Sequence, residues 1–189
     1  MELLLSIALG VALAAATGLR VFAPLLVAGL AARAGWISLT DAFAWLESTP
    51  ALLMLSTAAL LEALAYAIPG VDHVLDVLAG PAAVVAGALA SASVMGDVSP
   101  ALQWPLAVIA GGGIAGAVKG SVAVVRGKTG IATAGLGNPI VSTFETVGAV
   151  TLSLLAVLLP IATVVAIIAL LFWGIRKMGR FALGARRKS

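Results

Sequence analysis

Apolar residues fill long segments of this chain, and the first segment extends from residue 3 to residue 32. As one straight helix it would measure about 45 Å, whereas the hydrocarbon core of a bilayer is about 30 Å thick. The segment must therefore tilt or break, and Gly18 and Pro24 on either side of Arg20 favour a break. We interpret it as a first membrane segment that is interrupted near Arg20.

Further apolar segments follow at residues 51–68, 74–95, 104–125 and 140–175. The last one would be about 54 Å long as a single helix, which is too long for one crossing. Two crossings that turn near residues 158–161 would put Arg126 and Lys128 on the same side as the basic C-terminal end, as the positive-inside rule requires. We therefore predict an all-α, polytopic membrane protein of about six spans with both termini in the cytoplasm.

A shorter amphipathic stretch at residues 36–48 separates the first two segments. Ser38 and Asp41 have the spacing of a helix cap, and Trp36 and Trp45 are residues typical of the headgroup region. This stretch predicts a brief helix that lies at the membrane interface.

The composition agrees with a membrane protein. Hydrophobic residues make up 62% of the chain and charged residues 10%, with a mean hydropathy of +1.17, whereas a soluble domain carries about 25% charged residues. The net charge of +3 does not indicate a nucleic-acid partner, because six of the eleven Lys and Arg residues lie after residue 175. With no cysteine and one histidine, the chain has no disulfide framework, thiolate metal site or paired-histidine motif. The predicted partner is the lipid bilayer, and no cofactor is predicted.

A stripe of glycines marks the fourth apolar segment. Gly112, Gly116 and Gly120 recur every fourth residue, so on a helix they would form one flat face. Such a face lets another backbone approach closely. The neighbour can be a helix of the same chain or of a second copy, and a homo-oligomer is expected.

The predicted spans divide into two groups of three within a single transmembrane domain, residues 1–189. The halves are residues 1–95 and 96–178, followed by a basic cytoplasmic tail at residues 179–189. Small residues recur in the first span of each half, and Pro50 and Pro139 open the second spans. Since three crossings reverse the direction of a second copy, these features are compatible with a 3+3 inverted repeat with broken helices.

Four stretches carry a resemblance to known proteins: ATGLRVFAPLLVAGLAARAG, LEALAYAIPGVDHVLD, SPALQWPLAVIAGGGIAG and GLGNPIVSTFE. Together they resemble a family of small bacterial integral membrane proteins, domain of unknown function 4126. The resemblance implies a multi-pass protein of the bacterial inner membrane. It supplies no activity and no catalytic residues.

Glu62 is the acid that simple counting puts nearest the bilayer centre, about 18 Å along its helix from Pro50. A charge at that depth costs about 2.5–3.5 kcal/mol on insertion scales, so Glu62 needs a partner or a proton. Tyr66 lies one turn further along the same helix face. Arg20 is similarly deep, and both a structural pair with Glu62 and an anion site remain open for it.

Lys119, Glu145 and Asn138 complete the set of candidate binding residues. Lys119 lies beside the glycine stripe, although its long side chain can also reach the headgroups. Glu145 and Ser142 have the spacing of a helix-start cap, so a structural role competes with binding. Asn138 can add a polar group to a cavity at a broken helix start.

Asp72, His73 and Asp76 form the one group that resembles metal ligands. Capping of the third span by the two aspartates is the ordinary interpretation, so we predict no metal and keep these residues as weak candidates. No nucleophile and base stand together in the sequence. We therefore assign no catalytic residue and do not expect an enzyme.

Two functions fit these observations. The first is a small transporter or channel for a small polar or anionic solute, with proton linkage through Glu62. The second is a non-transporting membrane protein, a lipid-interacting or assembly factor, whose buried charges are structural. A solvated cavity that reaches Glu62 would favour the first, and a dry, paired glutamate the second.

Overall fold

A computed structural model of the protein describes residues 1–66, 68, 71–133 and 137–186, apart from the side chains of residues 72, 73, 175 and 177–186. All regular secondary structure in the described chain is helical, as predicted, and these residues contain no strand. Its α-helices are α1 (Glu2–Thr17), α2 (Phe22–Arg33), α3 (Thr49–Ala65), α4 (Val71–Val94), α5 (Pro100–Leu106), α6 (Gly113–Thr133), α7 (Asn138–Leu158) and α8 (Pro160–Arg186). A 3-10 helix, Asp41–Glu47, precedes α3, and a π-helical segment, Ala107–Gly112, joins α5 to α6.

The first two helices form a hairpin that returns to the end of the bundle from which it starts. In α1, the position of a Cβ on Gly10 would lie 2.9 Å from the Ser91 hydroxyl, near the C-terminal end of α4. Beyond α2, the Thr40 amide donates to the Ser93 carbonyl at that same end (2.8 Å). The middle of α1 and the chain beyond α2 therefore lie at the same end of α4.

The tip of this hairpin lies deeper in the bundle. Thr17 Oγ1 reaches the Ala83 carbonyl near the middle of α4 (3.4 Å), and a Cβ on Gly18 would lie 2.6 Å from the Ala115 carbonyl of α6. Glycine is needed here because α6 leaves no room for a side chain. The predicted break near Arg20 is confirmed. We predicted that residues 3–32 make one crossing, whereas in the structure they enter the bundle and turn back as a hairpin.

Helix α4 packs closely against α1, α6 and the π-helical segment through small residues. A Cβ on Gly87 would lie 2.5 Å from Ala115 Cβ, and a Cβ on Gly111 would lie 2.5 Å from Ser91 Cβ. Backbones that approach this closely gain van der Waals contacts along their length, which is how helices associate within lipid.

The glycine stripe is only partly as predicted. Cβ atoms on Gly112 and Gly116 would each lie 3.1 Å from an atom of Val84 in α4. At Gly120, by contrast, no other part of the described structure comes within 4 Å. The closer approach is made by Gly111, at the π-helical segment, where an enlarged helical turn offsets the regular four-residue row.

The last apolar block contains two helices rather than one. Leu159 leaves the helical conformation (φ −140°, ψ 64°), and Pro160 then opens α8, where its missing N–H costs no hydrogen bond. Leu152 of α7 and Ile167 of α8 line the same cavity, so α8 folds back beside α7. The predicted turn near residues 158–161 is confirmed.

Within the described residues, three helical stretches are long and apolar enough to cross a membrane: Val74–Val94, Pro100–Thr133 and Asn138–Leu158. The number rises to four if the 3-10 helix and α3, bent by 70° at their junction, make one span. Large apolar side chains cover the outside of the bundle, Val77 and Ile109 being about three-quarters exposed, as lipid contact requires. The six-span count, the two halves and the inverted repeat remain predictions.

The predicted short helix between the first two apolar segments is present as the 3-10 helix. Phe43 and Leu46 are buried, while Trp36 and Trp45 are exposed. This division into an apolar inner face and exposed indoles is the one expected of a segment at the membrane interface.

Candidate functional site

Arg20 lies at the tip of the α1–α2 hairpin, with only 1% of its surface exposed. Its Nε donates to Thr146 Oγ1 (3.0 Å), and its Nη2 donates to the Ser142 carbonyl (2.8 Å) and hydroxyl (2.5 Å). Nη2 also lies 3.6 Å from Glu145 Oε2. Because Ser142, Glu145 and Thr146 are three and four residues apart, they share one face of α7. That face receives the guanidinium group.

Glu62, near the end of α3, binds the backbone of the hairpin tip where α2 begins. Its Oε1 accepts from the Val21 amide (2.9 Å) and its Oε2 accepts from the Phe22 amide (3.2 Å). These amides open α2 and have no partner within the helix, and the carboxylate also faces the positive end of the helix dipole. Glu62 therefore stabilises the hairpin as a cap supplied from a distant part of the chain.

Arg126 and Glu145 form the tightest ion pair of the site, with Arg126 3% and Glu145 5% exposed. Arg126 Nε donates to Glu145 Oε1 (2.6 Å) and Nη2 donates to Glu145 Oε2, so the pair is bidentate. Asp76 of α4 forms ion pairs with two residues of α6. Its Oδ1 lies 3.5 Å from Lys119 Nζ, and its Oδ2 lies 3.8 Å from Arg126 Nη1. Helices α4, α6 and α7 thus each supply charges to one buried cluster.

Tyr66, just after α3, lies at the centre of these groups and is buried. Its ring centroid is 4.2 Å from Arg20 Cζ, 4.5 Å from Arg126 Cζ and 5.2 Å from Lys119 Nζ. Lys119 Nζ also donates to the Tyr66 hydroxyl (3.3 Å). An aromatic ring attracts cations to its face, so Tyr66 lets three positive groups converge.

We call these residues the charge network: Arg20, Glu62, Tyr66, Asp76, Lys119, Arg126 and Glu145. Its three basic and three acidic side chains balance in formal charge. Two guanidinium nitrogens within it, Arg20 Nη1 and Arg126 Nη1, are buried and have no hydrogen-bond acceptor among the described residues. A buried polar atom without a partner costs on the order of 1–3 kcal/mol, and Asp76 Oδ1 is a third such atom, so the network offers two donors and one acceptor to a polar ligand beside Tyr66.

The structure brings together five of the six predicted binding residues. Glu62, Arg20, Lys119, Glu145 and Tyr66 all belong to the charge network, and the acid within ion-pairing distance of Arg20 is Glu145, whereas Glu62 binds the backbone after Arg20. The sixth, Asn138, is buried at the first residue of α7, where a Cβ on Gly130 of α6 would lie 3.7 Å from its Oδ1.

Sequence reasoning missed Arg126 as a site residue. It took Arg126 for a cytoplasmic charge at the end of a span, whereas α6 continues to Thr133 and buries the side chain. A signal was present, because Lys119 and Arg126 are seven residues apart and so lie on one face of a helix. Thr146 was missed in the same way, one turn beyond Ser142.

Of the three weak metal candidates, only Asp76 has a described side chain, and the described part of the chain contains no group of three metal-ligating residues. Asp76 faces Lys119 and Arg126, an environment that a cation would not favour. The side chains of Asp72 and His73 lie outside the described residues.

Long apolar helices around a buried ionic site define the class of this molecule as a multi-pass helical membrane protein. The chain belongs to the family described as Domain of unknown function (DUF4126), whose pattern matches residues 7–180. No curated protein and no solved structure matches the chain.

Proposed function

We propose that this protein is a small membrane transporter or channel for a small polar or anionic solute, and that the charge network is its binding site. The observation that carries the proposal is the network itself, buried at the tip of a helical hairpin that ends inside the bundle. Ionisable residues at membrane depth are rare and mark ion or substrate pathways. Discontinuous helices surround the substrate sites of many transporters.

An anionic solute suits the network best. Arg20 Nη1 and Arg126 Nη1 are the buried guanidinium nitrogens without an acceptor among the described residues, and both guanidinium groups lie over the Tyr66 ring. Solute oxygens can accept from both donors at the place where Asp76 and Glu145 now neutralise the cations. When the solute binds, the guanidinium groups exchange hydrogen bonds with carboxylates for hydrogen bonds with the solute. Both kinds are charge-assisted and of similar strength.

Charge balance gives a reason for proton linkage. The described network carries three positive and three negative groups, so an added anion leaves one uncompensated negative charge at low dielectric. A proton on one carboxylate restores neutrality, and buried charge is costly enough to favour this. Asp76 is the more accessible of the two carboxylates that pair with Arg126, with a side chain 27% exposed against 4% for Glu145.

We assign the end of the bundle that carries Lys128 to the cytoplasm of a bacterial cell, following the positive-inside rule. Helix α8 runs towards that end, since Gly174 and Lys128 line one cavity. Gly10 of α1 lies beside Ser91 at the opposite end, and the first residues of α1 precede it. The start of α1 and the end of α8 are then on opposite sides of the membrane, in contrast to the prediction that both termini are cytoplasmic.

Purified protein in liposomes that enclose a pH-sensitive dye tests this function. External chloride, nitrate, phosphate or acetate is added at constant external pH. Proton-linked entry of an accepted anion acidifies the lumen beyond the rate of protein-free vesicles. Arg20→Gln should abolish the acidification, while Arg33→Gln should retain it because Arg33 is an exposed arginine bonded to Thr49. Folded wild-type protein that moves neither protons nor isotopically labelled anions contradicts transport.

One observation favours the second candidate, a non-transporting membrane protein with a structural network. Glu62 caps α2 with both oxygens and Glu145 holds Arg126 with both oxygens, so each glutamate already has a complete structural role. On this alternative, Arg20→Gln lowers thermal stability, and no anion acidifies vesicles that contain the wild-type protein.

A further inference from the structure

The cavity lined by Leu152, Ile167, Gly174 and Lys128 lies on the membrane-facing side of the bundle, apart from the charge network. Its volume is about 630 Å³, within the usual range for small-molecule sites. Leu19, after α1, and Leu152 of α7 form part of its wall, and stripes of α6 and α8 form much of the rest. The α8 stripe includes Ile167 and Leu171, four residues apart and therefore on one helix face.

The cavity is a groove that runs along α6. Its lining includes Val118, Val125 and Lys128, so it follows one helix face for about 15 Å. Val125 and Leu170 on its rim are each more than half exposed, which leaves the groove open to the surrounding bilayer. Among the described lining residues nearly all are apolar, and the charged one is Lys128, at the end nearest the last turns of α6.

We propose that this groove binds an anionic phospholipid, with one acyl chain along α6 and α8 and the headgroup phosphate at Lys128. The occupant follows from the distribution of polarity, since an apolar channel that ends at the exposed ammonium of Lys128 matches a hydrocarbon chain that ends at an anion. Lysines near the end of a span attract anionic lipids at the membrane surface. The lipid comes from the leaflet at the Lys128 end.

An acyl chain suits the groove better than a helix of a second copy. Its hydrocarbon can lie along the apolar lining while the anionic headgroup pairs with Lys128, whereas an apolar helix supplies no anion for that ammonium.

Native mass spectrometry of delipidated full-length protein tests the proposal with two lipids that have identical acyl chains, phosphatidylglycerol and phosphatidylcholine. The wild type should retain phosphatidylglycerol more strongly. Lys128→Gln should reduce this retention roughly five-fold, to the phosphatidylcholine level, because one basic group contributes about that factor. Gly174→Leu should reduce the retention of both lipids, because Gly174 lines the groove and no described atom lies within 4 Å of its Cβ position.

The matched control is Gly120→Leu, which also enters open space but is not among the groove residues. It should leave the retention of both lipids unchanged, and thermal melting of all variants checks that they fold. Equal retention of the two lipids by the wild type would overturn the proposal, as would Lys128→Gln without effect. A wild-type dimer that Gly174→Leu converts to monomer would assign the groove to a second copy instead.

Discussion

Replacing Glu145 by glutamine perturbs the charge network at its most buried acid. Glu145 forms two hydrogen bonds with Arg126 and lies 3.6 Å from Arg20, so the neutral variant leaves two buried cations undercompensated. Breaking a buried pair from one side costs about 3–5 kcal/mol. In a protein of 150–250 residues each kcal/mol shifts Tm by about 2–4 °C, so Glu145→Gln should lower Tm by at least roughly 6 °C.

Thermal melting in detergent, followed by size-exclusion chromatography of the soluble fraction, measures this shift. The double variant Arg126→Gln with Glu145→Gln should recover most of the lost stability, because two neutral amides can bond to each other without an unpaired charge. Glu2→Gln, at an exposed acid, is the matched control and should melt like the wild type. A Tm for Glu145→Gln within about 2 °C of the wild type would refute the assignment of a buried, stabilising ion pair.

Three further predictions follow from the packing of the hairpin and of α4. Glu62→Ala removes the cap of α2 and should cost about 1–2 kcal/mol in thermal unfolding; an unchanged Tm would mean that the hairpin does not need the cap. Gly111→Ala puts a methyl group 2.5 Å from Ser91 Cβ and should cost about 1–3 kcal/mol by the same assay, and full stability would contradict the close packing. Single cysteines at Glu2 and Lys128, introduced into this cysteine-free chain, should react with impermeant reagent from opposite sides of the membrane; labelling from one side would restore the six-span topology.

The apolar pattern predicted the helices well where length alone decides. The block at residues 140–175 is too long for one crossing, and Pro160 marks where it turns. The hairpin at residues 3–32 was not predictable in this way. Hydropathy reports how much apolar chain is present, and not the direction in which it runs, so a broken crossing and a returning hairpin have the same pattern. The family resemblance, confirmed over residues 7–180, identified the class without resolving this ambiguity.

The site was predictable as a set of residues and not as a set of pairs. Counting along a helix found Glu62 and Tyr66 because depth in an apolar segment is a local property. The partner of each charge depends on how helices pack, and so Arg126 with Glu145 could not be paired from sequence. The contacts of the glycine stripe also depend on a feature that the sequence pattern did not reveal. The π-helical segment before α6 brings Gly111, and not Gly120, against α4.

Tyr66 is the single tyrosine of the chain and lies at the centre of the charge network, so it reports directly on solute binding. Protein labelled with 3-fluorotyrosine gives one ¹⁹F resonance, which is measured while chloride, nitrate, phosphate or acetate is added. Our account predicts that at least one anion shifts this resonance saturably, that Arg20→Gln abolishes the shift, and that Arg33→Gln retains it. A resonance that no anion moves in folded protein would contradict the central claim that the network binds a small anion.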